Sequence, residues 1–145
     1  MMKSIVIVSG YFNPLHRGHI EYFYMAKKFG DLLLVIVNND KQRELKGSKK
    51  FMQEEERLTI IKELKVVNDA LLSIDNDSTV SKTLERISNK YSKTNKLYFA
   101  NGGDQTNDNI PESNTCKKFN IILIDGLGDK IQSSSWLLNT KKDEN

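Results

Sequence analysis

Both histidines of this chain sit in one short stretch, GYFNPLHRGH, at residues 10–19. His16 and His19 stand three residues apart and flank Gly18. A metal site is the first chemistry such a pair suggests, but zinc ordinarily takes three or four protein ligands. There is no third histidine, and the single Cys116 is far away in sequence, so no side-chain metal ligands are assigned. Purely structural histidines are common, yet that reading explains neither the clustering nor the Gly-Tyr-Phe-Asn-Pro run before it. A helix start accounts for both. A strand that ends at Gly10, turns through Asn13-Pro14 and enters a helix near Gly18 presents unpaired backbone N–H groups at the positive end of the helix dipole. Gly18 lets backbone approach a ligand where a Cβ would intrude. Two imidazoles there add donors aimed at phosphate oxygens, on which charge builds as a bond breaks. The expected ligand is a triphosphate.

Such a site needs a strand before it and a helix after it, and the chain supplies them repeatedly. SIVIVS (4–9) and LLLVIV (32–37) are short, apolar and β-branched, the pattern of buried strands. Between them, Ile20, Phe23, Tyr24, Ala26 and Phe29 suit a helix ending at Gly30. A long loop is expected over 38–52. QEEERLTIIKEL (53–64) has acids in its first turn and Leu58, Ile61 and Leu64 on one face, a second helix. DALLSI (69–74) is a third strand, followed by a helix capped by Ser78 or Thr79 with Val80, Leu84 and Ile87 inward. KLYFA (96–100) and IILI (121–124) are the fourth and fifth strands, with a short helix near 112–119 between them and a last helix starting among Ser133 to Ser135.

Strands alternating with helices predict an α/β fold, a single doubly wound domain with a five-stranded parallel sheet and helices on both faces. In such sheets ligands bind beyond the carboxyl ends of the strands, where strand order reverses. The loops after the first, second, fourth and fifth strands therefore converge on one edge. The domain is expected over residues 1–140, with 141–145 a frayed polar tail.

Composition narrows the partners. At 145 residues, with 38% hydrophobic and 28% charged residues, the chain is long enough for one sizeable core. Net charge is only +3, from 22 basic and 19 acidic residues. No basic stripe is interleaved with aromatics, so no nucleic-acid partner is expected. The apolar run at 32–37 is far too short to span a bilayer, so no membrane is expected either. One cysteine cannot form an internal disulfide, and nothing at the N-terminus reads as a signal peptide; a cytoplasmic protein is expected.

The stretch at 10–19 resembles the HxGH signature of the nucleotidyltransferase superfamily that includes glycerol-3-phosphate cytidylyltransferase, heptose-1-phosphate adenylyltransferase and the pyridine-nucleotide adenylyltransferases. Four further segments match in order: LKG at 45–47, EEERL at 54–58, NGGD at 101–104 and QSSSWLL at 132–138. The resemblance covers nearly the whole chain and implies a Rossmann-like fold. It also implies that a substrate phosphate oxygen attacks the α-phosphorus of CTP or ATP directly, releasing pyrophosphate. His16 and His19 would stabilise the charge that develops, and Lys46 would reach the phosphates from the second loop. Ser133, Ser134 and Ser135 would hold the β- and γ-phosphates. Tyr11, Phe12, Gly18, Asp104 and Lys130 would contact the nucleotide, and Arg57, Gly103 and Asn107 are candidate substrate contacts. Mg2+ would neutralise the triphosphate, and family members of this size are often homodimers.

Simpler roles stand beside these. Lys46 alone is an exposed lysine, Arg57 could pair with Glu54 on its own helix, Asp104 could shape a turn, and the serines could be plain N-caps. Two positions depart from the family pattern. Asn13 stands where many cytidylyltransferases have Asp. Lys130 is the only cation in GLGDKIQSSS, where the family has an arginine, and a lysine supplies charge without a bidentate fork. The polar segment GGDQTNDNIPE suits the hydroxyls of a phosphorylated sugar or polyol. A pyridine-nucleotide-type adenylyltransferase and a catalytically inactive nucleotide-binding module remain open alternatives.

Overall fold

The computed structural model describes residues 2–100 and 110–124. Its order is β1 (Lys3–Gly10), α1 (Arg17–Lys27), β2 (Leu32–Val37), α2 (Asp40–Lys46), α3 (Glu54–Lys62), β3 (Asp69–Leu72), α4 (Ser81–Tyr91), β4 (Asn95–Ala100), α5 (Ser113–Lys118) and β5 (Ile122–Ile124). The five strands form one sheet in the order β3-β2-β1-β4-β5, and every neighbouring pair is parallel. This is the expected doubly wound sheet. The order reverses between β1 and β4, so the carboxyl ends of these two strands flank the switch point.

Alternation along the central strands divides the core in two. Val6 and Val8 of β1, with Leu33, Val35 and Val37 of β2, face Phe23 and Ala26 of α1 and Ile61 of α3. Ile5 and Ile7, with Leu34, Ile36, Leu97 and Phe99, face Leu84 and Ile87 of α4 and Cys116 of α5. Strands covered on both sides have no solvent face, which is why β1 and β2 read as unbroken apolar runs. Each such aliphatic side chain contributes about 1.5–3 kcal/mol on burial.

Several local expectations change. The segment after β2 is not all loop, because α2 occupies Asp40–Lys46. α1 ends at Lys27, before Gly30; Tyr24 on it and Phe29 beyond it are exposed, and its buried stripe is only Phe23 and Ala26. On α3 the largest buried side chain is not a leucine but Arg57, which is 1% exposed. Neither Ser78 nor Thr79 is the N-cap residue of α4. The carboxylate of Asp75 accepts from the backbone N–H groups of Lys82 (2.8 Å) and Thr83 (3.0 Å) instead. Among the described residues, no helix is long and apolar enough to cross a membrane.

Candidate active site

The two histidines cap the helix that begins between them. Nδ1 of His16 accepts from the backbone N–H of Gly18 at 3.1 Å. Nδ1 of His19 reaches back to accept from the backbone N–H of His16, also at 3.1 Å. This is a capping box built from imidazoles, with ring nitrogens in place of the usual hydroxyl and carboxylate oxygens. An Nδ1 that accepts carries no proton, so in the neutral rings the proton is on Nε2. Among the described residues neither Nε2–H has a partner, so the cap leaves both oriented to donate elsewhere. The rings lie 3.9 Å apart between centroids, tilted by 31°. Burial first, and the neighbouring His16 second, lower the pKa of His19 to about 4, so His19 is neutral at pH 7.

The turn before the helix is shaped by close packing. Phe12 is 3% exposed, with a left-handed φ of +52°, a conformation costing on the order of 1–3 kcal/mol for a bulky residue. Its ring is held edge-on by His19 (5.1 Å) and Phe23 (5.4 Å). The same ring folds against Gly10, where a Cβ would fall 2.7 Å from Phe12 Cζ. At Gly18 a Cβ would come within 3.0 Å of the His16 ring. The glycine thus makes room for the capping imidazole, a reason the sequence alone did not disclose.

Two side chains tie the loops after β1 and β2 together. Asn13 accepts from the backbone N–H groups of Phe51 (3.1 Å) and Met52 (2.9 Å) and donates Nδ2–H to the carbonyl of Lys49 (2.8 Å). An aspartate could make the first two bonds but not the third, which gives Asn13 a physical reason to depart from the family pattern. Arg57 lies behind both loops. It donates to the carbonyls of Tyr11 (2.7 Å), Asn38 (2.7 Å) and Met52 (3.1 Å), and to Oδ1 of Asp40 (2.6 Å). Its partner is therefore Asp40 and not Glu54, and its guanidinium faces backbone rather than an open surface. Burial alone would raise the Asp40 pKa, but the Glu54 N–H and Arg57 together hold it below the usual carboxylate range.

Lys46 stands in the last turn of α2, just before Gly47, whose φ of +82° ends the helix. Its Nζ lies 4.5 Å from the centroid of the Tyr11 ring. The start of α2 is fixed by Asn39 and Gln42, which cap one another reciprocally. Gln42 is fully buried and also donates to the carbonyls of Asp77 and Thr79, both at 2.8 Å. The expected phosphate lysine is thus delivered to the β1 loop by a short, well-anchored helix.

Beside this edge, at the switch point, lies a cavity of about 240 Å³. Gly10 and Tyr11 from the β1 end, Asn38 after β2, Phe99 of β4 and Glu112 just ahead of α5 all line it. Glu112 is 8% exposed, and its Oε2 accepts from the backbone N–H of Val80 at 3.0 Å. Burial pushes its carboxyl pKa up, the Val80 N–H offsets part of this, and Asp75 and Asp77 push it up further. Among the described residues, no three His, Cys, Asp or Glu side chains converge as metal ligands.

His16, His19, Gly18, Tyr11, Phe12 and Lys46 are therefore brought to one edge, with Arg57 directly behind it. Gly103, Asp104, Asn107, Lys130, Ser133, Ser134 and Ser135 lie outside the described residues. Sequence reasoning missed Asn39, Gln42 and Asp40, and it reached Glu112 only as the last residue of the polar segment GGDQTNDNIPE. The first two carried a signal, because NDKQ at 39–42 fits the N-cap pattern of Asn followed three residues later by Gln. Nothing local names the closest partners of the other two: Asp40 bonds Arg57 17 residues away, with Arg43 of its own helix at 3.7 Å, and Glu112 bonds Val80 32 residues away.

A family model described as cytidylyltransferase-like matches residues 7–144. The FAD synthase of Picrophilus torridus is 36% identical over 72 residues, which cover 50% of this chain and 52% of that protein. The bifunctional protein HldE of Blochmanniella floridana is 36% identical over 110 residues, 74% of this chain and 21% of that protein. The matches thus span about half of the FAD synthase and a fifth of HldE. Among solved structures, the lipopolysaccharide core biosynthesis protein from Thermoplasma volcanium GSS1 superposes with a TM-score of 0.68 at 29% identity. That match covers 85% of this chain and 95% of the other.

Proposed function

Since the chain belongs to the cytidylyltransferase-like family, we propose that it is a cytoplasmic nucleotidyltransferase moving CMP or AMP from an NTP to a phosphorylated sugar or polyol. The acceptor's phosphate oxygen forms a bond to the α-phosphorus as the bond to the β-phosphate oxygen breaks, and pyrophosphate leaves. One observation carries the reading: the reciprocal cap that leaves both imidazole Nε2–H groups without a partner among the described residues at the start of α1. Those donors suit the oxygens on which charge grows, and they are held in place before the reaction begins. Lys46 supplies a positive charge beside Tyr11. Ser133 to Ser135 hold the β- and γ-phosphates, and Asp104 and Lys130 contact the nucleotide. Mg2+ accompanies the triphosphate as its counter-ion. The described residues converge no ligand set on it, and no step is routed through it.

The cavity supports a small acceptor. Sites for drug-sized ligands run to roughly 300–1,000 Å³, and the crevice here is about 240 Å³. The similarity to an FAD synthase favours a second reading, in which AMP passes to the phosphate of FMN. A matrix of the four NTPs against sugar, polyol and amino-alcohol phosphates and FMN, scored for pyrophosphate, separates the two. Release with FMN alone selects the second reading, and no release with any pair rejects both. The homodimer belongs to the same proposal; light scattering that returned the monomer mass of 16.6 kDa would reject it.

A further inference from the structure

Around the crevice, most buried polar side chains are fully engaged with the protein itself. Both carboxylate oxygens of Asp75 accept from the start of α4. The Gln42 amide oxygen accepts from Asn38, Asn39 and Ser73 while its nitrogen donates to two carbonyls. The Arg57 guanidinium holds three carbonyls and Asp40. Glu112 differs. A carboxylate has about four acceptor positions, and among the described residues a single backbone N–H, that of Val80, reaches its side chain from another residue. It is nevertheless buried and forms part of the cavity wall.

The crevice lining carries both polarities. Tyr11 bears the Lys46 ammonium on its ring, which favours a phosphate beside it, and the Glu112 carboxylate favours a hydrogen-bond donor. Ser9 and Asn38 also line it; a hydroxyl and a primary amide can each accept and donate, which suits hydroxyl groups better than a bare alkyl chain.

We propose that Glu112 determines acceptor specificity, its carboxylate accepting a hydrogen bond from a hydroxyl on the end of the acceptor remote from the reacting phosphate. This rests on the transferase reading above and deepens it, assigning the acceptor a phosphate at one end and a hydroxyl at the other. A neutral hydroxyl takes this place, and Ser9 and Asn38 serve its neighbours.

The test follows pyrophosphate release by the full chain with CTP or ATP as donor and three acceptors: glycerol 3-phosphate, propyl phosphate and phosphoethanolamine. The wild type should favour glycerol 3-phosphate over propyl phosphate by roughly tenfold or more in kcat/KM, the scale of one charge-assisted hydrogen bond. Glu112→Gln should erode most of that preference by raising KM for glycerol 3-phosphate, with KM for the NTP unchanged. A wild type that does not discriminate between these two overturns the assignment, whether or not the variant folds. So does a wild type that prefers phosphoethanolamine, or a folded variant with unaltered preference. Release without discrimination leaves the transferase reading standing, whereas no release with any of the three removes the small-polyol reading and this assignment with it.

Discussion

The guanidinium of Arg57 donates to the carbonyl of Tyr11 at 2.7 Å, joining two residues 46 positions apart. The bond fixes the backbone of the β1 loop from below, at the residue whose ring meets Lys46. With Asn38, Met52 and Asp40 as its other partners, Arg57 is a positioning residue for the whole edge.

Replacing Arg57 with Ala should therefore cost about 3 kcal/mol or more of stability, because the carbonyls of Tyr11, Asn38 and Met52 lose their donor and a buried acceptor left unpaired costs about 1–3 kcal/mol. Urea unfolding measures it. A loss below about 1 kcal/mol would show that the two loops hold together without the clamp.

At His16, capping and chemistry reside in the same side chain, and two substitutions separate them. His16→Ala should lose both, about 0.5–2 kcal/mol of stability and about 10²-fold in kcat. His16→Asn restores a good N-cap acceptor but not the Nε2–H donor, so stability should recover while turnover stays low. Near-normal turnover in the Asn variant would remove the imidazole from the mechanism.

His19 makes stability pH-dependent with a definite sign. Its folded pKa, about 4, lies below the ordinary 6.5. Between those values the unfolded chain binds a proton that the folded chain does not, so this residue's contribution is full above about pH 6.5 and declines as pH falls towards 4. A proton NMR titration of the imidazole Cε1–H should give an apo midpoint near 4. Bound triphosphate should move it upward, because negative charge favours the imidazolium. An apo midpoint near 6.5 would contradict the burial of the ring.

Asn13→Asp tests the stitch between the first two loops. The aspartate keeps the bonds from Phe51 and Met52 but sets a carboxylate oxygen against the Lys49 carbonyl. A loss of about 1 kcal/mol is expected, together with a rise in KM for the NTP as Lys46 loses its fixed approach. Equal KM and equal stability in the variant would make the stitch incidental.

Ser134 distinguishes a helix cap from a phosphate contact. As a cap, its replacement by Ala should cost about 0.5–2 kcal/mol and leave kinetics alone. As a phosphate contact, the change should raise KM for the NTP and shrink the thermal shift produced by Mg2+ and NTP, since ligand stabilisation follows occupancy. Equal nucleotide-induced shifts in wild type and variant would remove Ser134 from the triphosphate site.

The sequence alone determined the parallel sheet and the place of its functional edge. Apolar runs such as 32–37 are covered on both faces, and helices must cross between them; these are local properties that periodicity reports directly. The spacing of His16 and His19 also pointed to a helix start, because capping is a matter of three or four residues. Tertiary structure decided which polar atoms meet. Arg57 chose Asp40 over Glu54, Gly18 makes room for an imidazole, and Glu112 reached the start of α4 across 32 residues. Local spacing fixes a helix face, but the partner of a buried charge is set by which distant backbone the core brings within about 3 Å, and no window of sequence contains that distance.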